Sequence, residues 1–227
     1  MEHRDLHRWD LTPSEAFALQ LELARGLRIE KLPSSIRLVA GADLSYERFS
    51  DLAHAAFVVL EFPSLRIVER AGATARMTFP YIPGLLTFRE GPALLAAWRE
   101  LKTRPDVVVF DGQGIAHPRR LGIAAHMGLW IGIPSVGCGK TKLAGSFEEP
   151  GPMAGDFSPM IHRGEVIGSA LRTRTKAGPV FVSPGHLADL EGSRELAMRC
   201  SIGYRVPEPT RQAHLLANEL RVAARAA

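Results

Sequence analysis

The segment Asp106–Asp111 constrains the fold most, because it sets four consecutive apolar residues, VVVF, between two aspartates. A strand of this kind is typical of the centre of a sheet, where both faces are buried. Three predicted strands precede it, at 36–46, 55–62 and 65–76, and their close spacing indicates an antiparallel meander. A predicted helix over 87–102 follows the third strand. The order favours a sheet with VVVF near its middle.

The rest of the chain alternates helices and strands, which is the order of a ribonuclease H-like α/β fold. We therefore expect one domain over residues 1–227, with a mixed central sheet, an antiparallel three-strand portion and flanking helices. The Gly/Pro-rich stretch 148–159 is the longest predicted linker. The remaining predicted elements are helices over 12–31, 119–130, 187–200 and 209–225, and strands over 133–138, 165–172 and 179–183.

Composition excludes several classes of protein. The 227 residues are 46% hydrophobic and 23% charged, which are globular values, and the net charge is only +4. That charge permits a polyanionic partner without demanding one. Two cysteines make neither a disulfide framework nor a zinc motif. The N-terminus lacks an apolar signal core, and the stretch Leu121–Ile133 is too short to span a membrane. We expect a cytoplasmic, monomeric protein without membrane contact.

Two acidic residues lie inside or at the end of predicted strands that are otherwise apolar. Asp43 lies inside the apolar strand VAGADLSY, and Asp111 ends VVVF. A buried carboxylate is costly unless it is paired or binds a cation, and Mg²⁺ prefers oxygen ligands. Glu90, early in the predicted helix, is a candidate third acid. The alternative is that each acid caps a turn or a helix start.

The sequence PSVGCGKT over 134–141 ends like a phosphate-binding Walker loop. Its first glycine is replaced by Pro134, which has no N–H to donate, so a nucleotide triphosphatase is disfavoured. Lys140 at the end of a strand is suited to neutralising a phosphate, although a surface lysine is the simple alternative.

The sequence FPYIPG places Tyr81 between two prolines, which stiffen the backbone on both sides. Such a protrusion can fill the space left by an unstacked base, or it can be a structural turn whose tyrosine packs on the core. Farther on, Arg119 and Arg120 precede a helix, where they could contact phosphates or simply be solvated. A second basic cluster comprises Arg163, Arg172, Arg174 and Lys176.

Six segments together resemble the endonuclease V family of inosine-specific repair nucleases. They cover nearly the whole chain in the family's order. They are VAGADLSY, FPYIPGLLTFREGPALLAAW, VVVFDGQGIAHPRRLGIAAHMGL, PSVGCGKTKLAG, FVSPGHLADL and YRVPEPTRQAH.

The resemblance implies a ribonuclease H-like nuclease that uses Mg²⁺, with Mn²⁺ as a substitute. It implies cleavage of the second phosphodiester bond 3′ to deoxyinosine, leaving a 3′-hydroxyl and a 5′-phosphate. The expected partner is inosine-containing DNA, with RNA possible. Alternatives are an inosine-specific ribonuclease and a non-catalytic nucleic-acid-binding protein.

The resemblance also assigns residues. It places Asp43, Glu90 and Asp111 at the metal, with Lys140 and His214 as further catalytic residues. One departure is Gly139, where the family usually has alanine, and a looser loop around Lys140 is expected from it. The substrate-binding residues it implies are Pro80, Tyr81, Ile82 and Pro83 in the wedge, and Leu86, Gly112, His117, Gly122 and Ile123 in the pocket for the flipped hypoxanthine.

Overall fold

The computed structural model describes residues 1–48 and 50–225, and one eight-stranded sheet runs through them. Across the sheet the strand order is β3-β2-β1-β4-β5-β8-β7-β6. The strands are β1 (Leu38–Tyr46), β2 (Leu52–Glu61), β3 (Ile67–Arg76), β4 (Val107–Phe110), β5 (Ser135–Gly139), β6 (Phe157–His162), β7 (Glu165–Leu171) and β8 (Val180–Pro184). The helices are α1 (Pro13–Ala24), α2 (Leu86–Glu100), α3 (Ile123–Ile131), α4 (Leu190–Arg199) and α5 (Glu208–Arg225).

The sheet is mixed, as the sequence predicts. β1, β2 and β3 form the antiparallel meander, whereas β1, β4 and β5 are parallel neighbours. The second half, from β5 through β8 and β7 to β6, is antiparallel. Every residue of β4 is buried. The predicted class, with its three-strand meander and flanking helices, is confirmed.

The register of the parallel strands brings the acids together. Ala42 on β1 lies opposite Phe110 on β4, and the Asp111 N–H donates to the Ala42 carbonyl at 3.0 Å. Asp43 and Asp111, the next residues on each strand, therefore leave the sheet side by side. Because parallel strands end at the same edge, β5 delivers Lys140 to this edge too.

Helix α5 lies directly on β1, and Gly41 makes this approach possible. A Cβ atom at Gly41 would lie 1.9 Å from the Pro209 carbonyl oxygen, far inside contact distance. Only glycine permits such a close approach of two backbones. The approach carries His214, farther along α5, to the Asp43 end of β1.

Two hydrophobic cores stabilise the sheet, one on each face. One core, on the α2 and α3 side, includes the fully buried Trp98, Phe57 and Phe110. The other core packs α4 and α5 against the opposite face. Each large apolar side chain buried in this way contributes roughly 1.5–3 kcal/mol. The cores fix the strand ends, and so the site, in place.

The sequence missed β6 (Phe157–His162), whose start overlaps the predicted linker 148–159. Pro159 and the glycines before it are atypical of a strand, so the sequence pattern did not predict β6. In the structure β6 is an edge strand, where proline is tolerated because one side needs no ladder hydrogen bond. Its partner is β7, joined by a turn at Arg163 and Gly164.

Two predicted helices are shorter than expected. α1 ends at Ala24 instead of 31, since Gly26 follows and the Arg28 carbonyl instead accepts from Leu187 N–H at 2.7 Å. α3 begins at Ile123 instead of 119, because Arg120 adopts a positive φ of 60°. Within the described residues, the helices are too short or too polar to cross a membrane.

Candidate active site

Three carboxylates converge at the end of the sheet. Asp43 comes from β1, Asp111 follows β4, and Glu90 comes from the second turn of α2. All three line one small cleft of about 10 Å³. Their side chains are largely shielded from solvent, with Asp43 at 11% and Asp111 at 16% exposed. The structure therefore brings together the three acids that the sequence singled out.

Burial and mutual repulsion govern the charge of these acids. Burial, with a smaller effect of the Asp43 carboxylate, raises the pKa of Glu90 to about 8. Burial, and then Asp43, also raises the pKa of Asp111, against the lowering effect of Lys140. A raised carboxyl pKa means that the charged form is disfavoured. The centre is thus short of positive charge and is suited to receiving a cation.

Lys140 and His214 contact two of these acids. The Lys140 ammonium forms an ion pair with Asp111. His214 Nδ1 lies 2.7 Å from Asp43 Oδ2, and this hydrogen bond raises the pKa of His214. Both residues are about half exposed, so each can also meet a substrate from solvent.

Asn218 contacts His214 and was missed by sequence reasoning. Its amide oxygen accepts from Ser45 Oγ at 2.9 Å and from Arg221 Nε at 3.4 Å. The amide nitrogen therefore faces His214 Nε2 at 3.0 Å. A donor on Nε2 favours the neutral ring with its proton on Nδ1. The signal was available, since Asn218 lies four residues after His214 on one helix face.

A cavity of about 450 Å³ opens beside the carboxylates. Asp111 and Lys140 line it at one end, so cavity and carboxylates form a continuous site. Tyr81 is 64% exposed, which excludes the alternative that this tyrosine packs on the core. Pro80 is the one predicted substrate-binding residue outside the lining. The predicted residues in the lining are Tyr81, Ile82, Pro83, Leu86, Gly112, His117, Gly122 and Ile123.

The Gly84 carbonyl fixes the loop that carries Tyr81. It accepts hydrogen bonds from Gln20 Nε2, His117 Nε2 and Arg119 Nη2, each at 2.9 Å. Arg119 also lies 4.1 Å from the ring centre of Phe17 and donates to Gln20 Oε1 at 2.6 Å. We call Gln20, His117 and Arg119 the Gly84 clamp. Sequence reasoning missed Gln20, a buried polar residue on α1.

Both ring nitrogens of His117 are used within the clamp. Nε2 donates to Gly84, and Nδ1 accepts from the Arg119 N–H at 3.1 Å. Burial lowers the pKa of His117 to about 4, so the ring is neutral near pH 7. His117 therefore lines the cavity while its polar atoms hold the loop.

Comparison with known proteins decides the family. The sequence model of the endonuclease V family matches residues 21–215. The chain belongs to the endonuclease V family. It is 50% identical over 216 residues to endonuclease V from Methanothrix thermoacetophila, covering 95% of each chain. As a member of this family, the chain is an endonuclease.

Solved structures agree on the ribonuclease H-like fold. The crystal structure of Bacillus subtilis endonuclease V matches with a TM-score of 0.94 at 32% identity, covering 99% of each chain. Ciona intestinalis endonuclease V, in complex with a 23mer DNA containing an inosine followed by a ribo-adenosine, matches with a TM-score of 0.83 at 25% identity. That match covers 94% of this chain and 100% of the other.

Nucleases of the endonuclease V family are generally metal-dependent, and the donor set here fits a hard cation. Asp43, Glu90 and Asp111 offer carboxylate oxygens around one cleft, and the raised pKa values of Glu90 and Asp111 show that a cation would stabilise their charged forms. In residues 1–48 and 50–225, no three His, Cys, Asp or Glu side chains already form a group that could hold a metal ion. Lys140 and His214 contact the two aspartates.

Several arginines singled out in the sequence have structural partners. Arg119 belongs to the Gly84 clamp, and Arg120 pairs with Glu165 at 2.6 Å. Arg172 is only 7% exposed and donates to Glu149 at 2.7 Å, so it was wrong to count it in a basic surface. Each of these side chains therefore holds a loop of the protein. The second basic cluster keeps its exposed members Arg163, Arg174 and Lys176.

Proposed function

We propose that this endonuclease repairs DNA containing deaminated adenine. It hydrolyses the second phosphodiester bond 3′ to deoxyinosine and leaves a 3′-hydroxyl and a 5′-phosphate, using Mg²⁺, for which Mn²⁺ substitutes. The observation that carries the proposal is the continuity of the carboxylate cleft with the cavity beside it, since Asp111 lines both. One site can then hold a base and present the neighbouring backbone to the acids.

The cavity suits a nucleobase. Its volume of about 450 Å³ falls in the range of small-molecule pockets, roughly 300–1,000 Å³. Apolar side chains such as Leu86 and Ile123 line it, so a flat ring gains contact area. Inosine-containing DNA bound to the Ciona relative supports the same ligand class for this chain.

Discrimination of the base is assigned to the cavity wall. Hypoxanthine presents an oxygen at the position where adenine carries an amino group. We expect the backbone N–H beside Gly112 to donate to that oxygen and to reject an amino group. We expect Tyr81, which is exposed on a rigid loop, to fill the gap left in the duplex by the flipped base.

The carboxylate cleft is assigned the hydrolysis. Asp43, Glu90 and Asp111 would hold the metal, which supplies polarisation of the scissile phosphate when bound. Lys140 offers its ammonium to the charge that develops on the phosphate. His214 is held at the cleft by Asp43 and Asn218; once the Asn218 amide is displaced from Nε2, that nitrogen can orient the attacking water and accept its proton.

The test is cleavage of a 5′-labelled duplex with one deoxyinosine by the Asp43→Ala and Asp111→Ala variants. We expect at least a ~100-fold loss of rate for each, and no cleavage by the unaltered enzyme in chelator. Asp5→Ala, at a side chain 91% exposed, is the matched control and should cleave normally. The length of the labelled product identifies the bond that is cut.

Near-native cleavage by folded Asp43→Ala or Asp111→Ala protein would falsify the assignment. Duplex binding without any Mg²⁺- or Mn²⁺-dependent nicking would identify a non-catalytic binder. Inosine RNA and undamaged duplex, assayed side by side, decide between the deoxyribonuclease and an inosine-specific ribonuclease. Preference for inosine RNA would overturn the choice of DNA as substrate.

The proposal includes a single catalytic domain over residues 1–227, acting as a monomer in the cytoplasm. The strand that contains Asp43 and the strands that end just before Asp111 and Lys140 all belong to one sheet, which supports the single domain. Both cysteines are free and buried, which fits a reducing compartment. Light scattering of the purified enzyme tests the monomer, and a dimer mass would contradict it.

A further inference from the structure

Gln113 touches the loop that carries Lys140. Its side-chain Nε2 donates to the Thr141 carbonyl at 2.8 Å, and the residue is only 7% exposed. A backbone carbonyl only accepts hydrogen bonds, so the amide nitrogen must be the atom that faces it. The other amide atom, Oε1, is buried without a hydrogen-bond partner among the described residues. Among the described residues, the Gln113 amide is therefore oriented by its hydrogen bond to Thr141.

Gly139 provides the space that this contact needs. A Cβ atom at position 139 would lie 2.3 Å from Gln113 Nε2 and 3.2 Å from its Cδ. No side chain at 139 is compatible with the present place of the Gln113 amide. The amide occupies the volume that an alanine methyl group would take. The loop is thus packed at Gly139, although the sequence led us to expect it to be loose.

Lys140 lies between the two contacted residues. Its neighbours Gly139 and Thr141 are the two points at which Gln113 meets the loop, and its ammonium reaches Asp111. Arg205 donates to the Lys140 carbonyl at 2.9 Å and holds the loop from the other side. The backbone on both sides of Lys140 is thereby fixed relative to Asp111.

We propose that Gln113 is a positioning residue for Lys140, and that Gln113 and Gly139 act as one unit. The unit sets where the Lys140 ammonium stands. Because Gln113 and Gly139 also border the cavity, a fall in kcat with KM kept is the result that separates positioning of Lys140 from a contact with the base. The inference rests on the proposed role of Lys140 in phosphate hydrolysis. Its consequence is specific to this pair, because adding a methyl group at 139 and removing the amide at 113 destroy the same hydrogen bond.

The test is a double-mutant cycle with Gln113→Ala, Gly139→Ala and the double variant. Each single variant should lower kcat on the deoxyinosine duplex by roughly 2- to 12-fold, the range for one hydrogen bond, with KM changed less than about two-fold. The double variant should be no slower than the slower single variant, since the contact is already lost. The control is Asp5→Ala, at a side chain that is 91% exposed, and kcat should not change.

Lys140→Ala separates positioning from a general structural effect. In that background, Gln113→Ala should leave the single-turnover rate unchanged, because the residue it positions is gone. Additive losses in the double variant, an unchanged kcat for Gln113→Ala, or a further loss in the Lys140→Ala background would overturn the inference. Native-like cleavage by Lys140→Ala would instead show that the proposed role of Lys140 is wrong. Circular dichroism establishes that each variant is folded.

Discussion

The two sides of the endonuclease V site are held by different forces. On the catalytic side, Lys140 forms an ion pair with Asp111, and His214 forms a hydrogen bond with Asp43. On the recognition side, hydrogen-bond donors of the Gly84 clamp converge on a single uncharged carbonyl. On the catalytic side Lys140 and His214 are about half exposed, whereas Gln20 and His117 in the clamp are nearly inaccessible.

The difference shows how one site can combine a rigid recognition loop with catalytic side chains that are free to change partners. A metal ion can replace Lys140 and His214 at the aspartates, and a phosphate can replace Asp111 at the Lys140 ammonium, because each ligand carries the required charge. Hydrogen bonds to a buried carbonyl have no such competitor. We infer that the catalytic side lowers the stability of the free enzyme, whereas the clamp contributes stability and holds the wedge loop in one position.

The largest effect is expected from a substitution on the catalytic side of the site. Glu90→Gln removes an acid whose pKa burial raises from its usual 4.5 to about 8. Below about pH 4.5 the Glu90 carboxyl is protonated in both the folded and the unfolded chain. Between pH 4.5 and 8 only the unfolded chain releases this proton, so the free energy of unfolding falls as the pH rises. The variant should therefore be more stable by about 3 kcal/mol at pH 7 without metal, yet should cleave roughly 100-fold more slowly. Urea unfolding in chelator and cleavage assays measure the two effects.

Glu22→Gln is the control for that variant, because Glu22 is exposed on α1. It should change neither stability nor cleavage. A Glu90→Gln protein that is less stable than wild type in chelator would show that the cleft does not disfavour charge.

The next effect tests the clamp through pH. Burial lowers the pKa of His117 to about 4. Between about pH 6.5 and 4, the unfolded chain therefore binds a proton at this ring and the folded chain does not. The stability contributed by neutral His117 is complete above pH 6.5 and is lost as the pH falls toward 4. Between pH 7 and pH 5, wild type should lose about 2 kcal/mol more than His117→Gln. If urea unfolding shows that wild type and His117→Gln lose the same free energy of unfolding between pH 7 and pH 5, then His117 is not held neutral.

The smallest effect concerns selectivity. Gln20→Ala removes one of the three donors to Gly84 and the acceptor for Arg119. We expect a loss of about 1 kcal/mol in stability, and a few-fold fall in the ratio of inosine to undamaged cleavage rates as the wedge loop loosens. The Mg²⁺ dependence should stay as in wild type. A changed Mg²⁺ dependence would mean that the two sides are not independent.

Local patterns were enough to predict most of the framework. VVVF is the buried central strand, the three strands before it form the meander, and all five predicted helices exist. Periodicity and apolar runs carry this information because they report which faces are buried. β6 escaped because an edge strand is half solvated and tolerates Pro159, so its pattern resembles a loop.

The acids at strand ends were also readable, since a carboxylate inside an apolar run needs a reason. Their hydrogen-bond partners were not. Gln20 meets a carbonyl 64 residues away, and Arg172 was expected on a basic surface but is buried. Nothing in the neighbouring sequence of either residue reports such a contact.

The sequence by itself determined the order of strands and helices, the acids and lysine at the strand ends, and the stiff loop around Tyr81. Only the tertiary structure decided that Asp43 and Asp111 stand side by side, that Gln113 fills the space above Gly139, and that Gly84 is the anchor of the wedge loop. The physical reason is that burial and backbone preference act locally along the chain. Strand register and the partner of each polar group are set by distant segments that meet only in the folded protein.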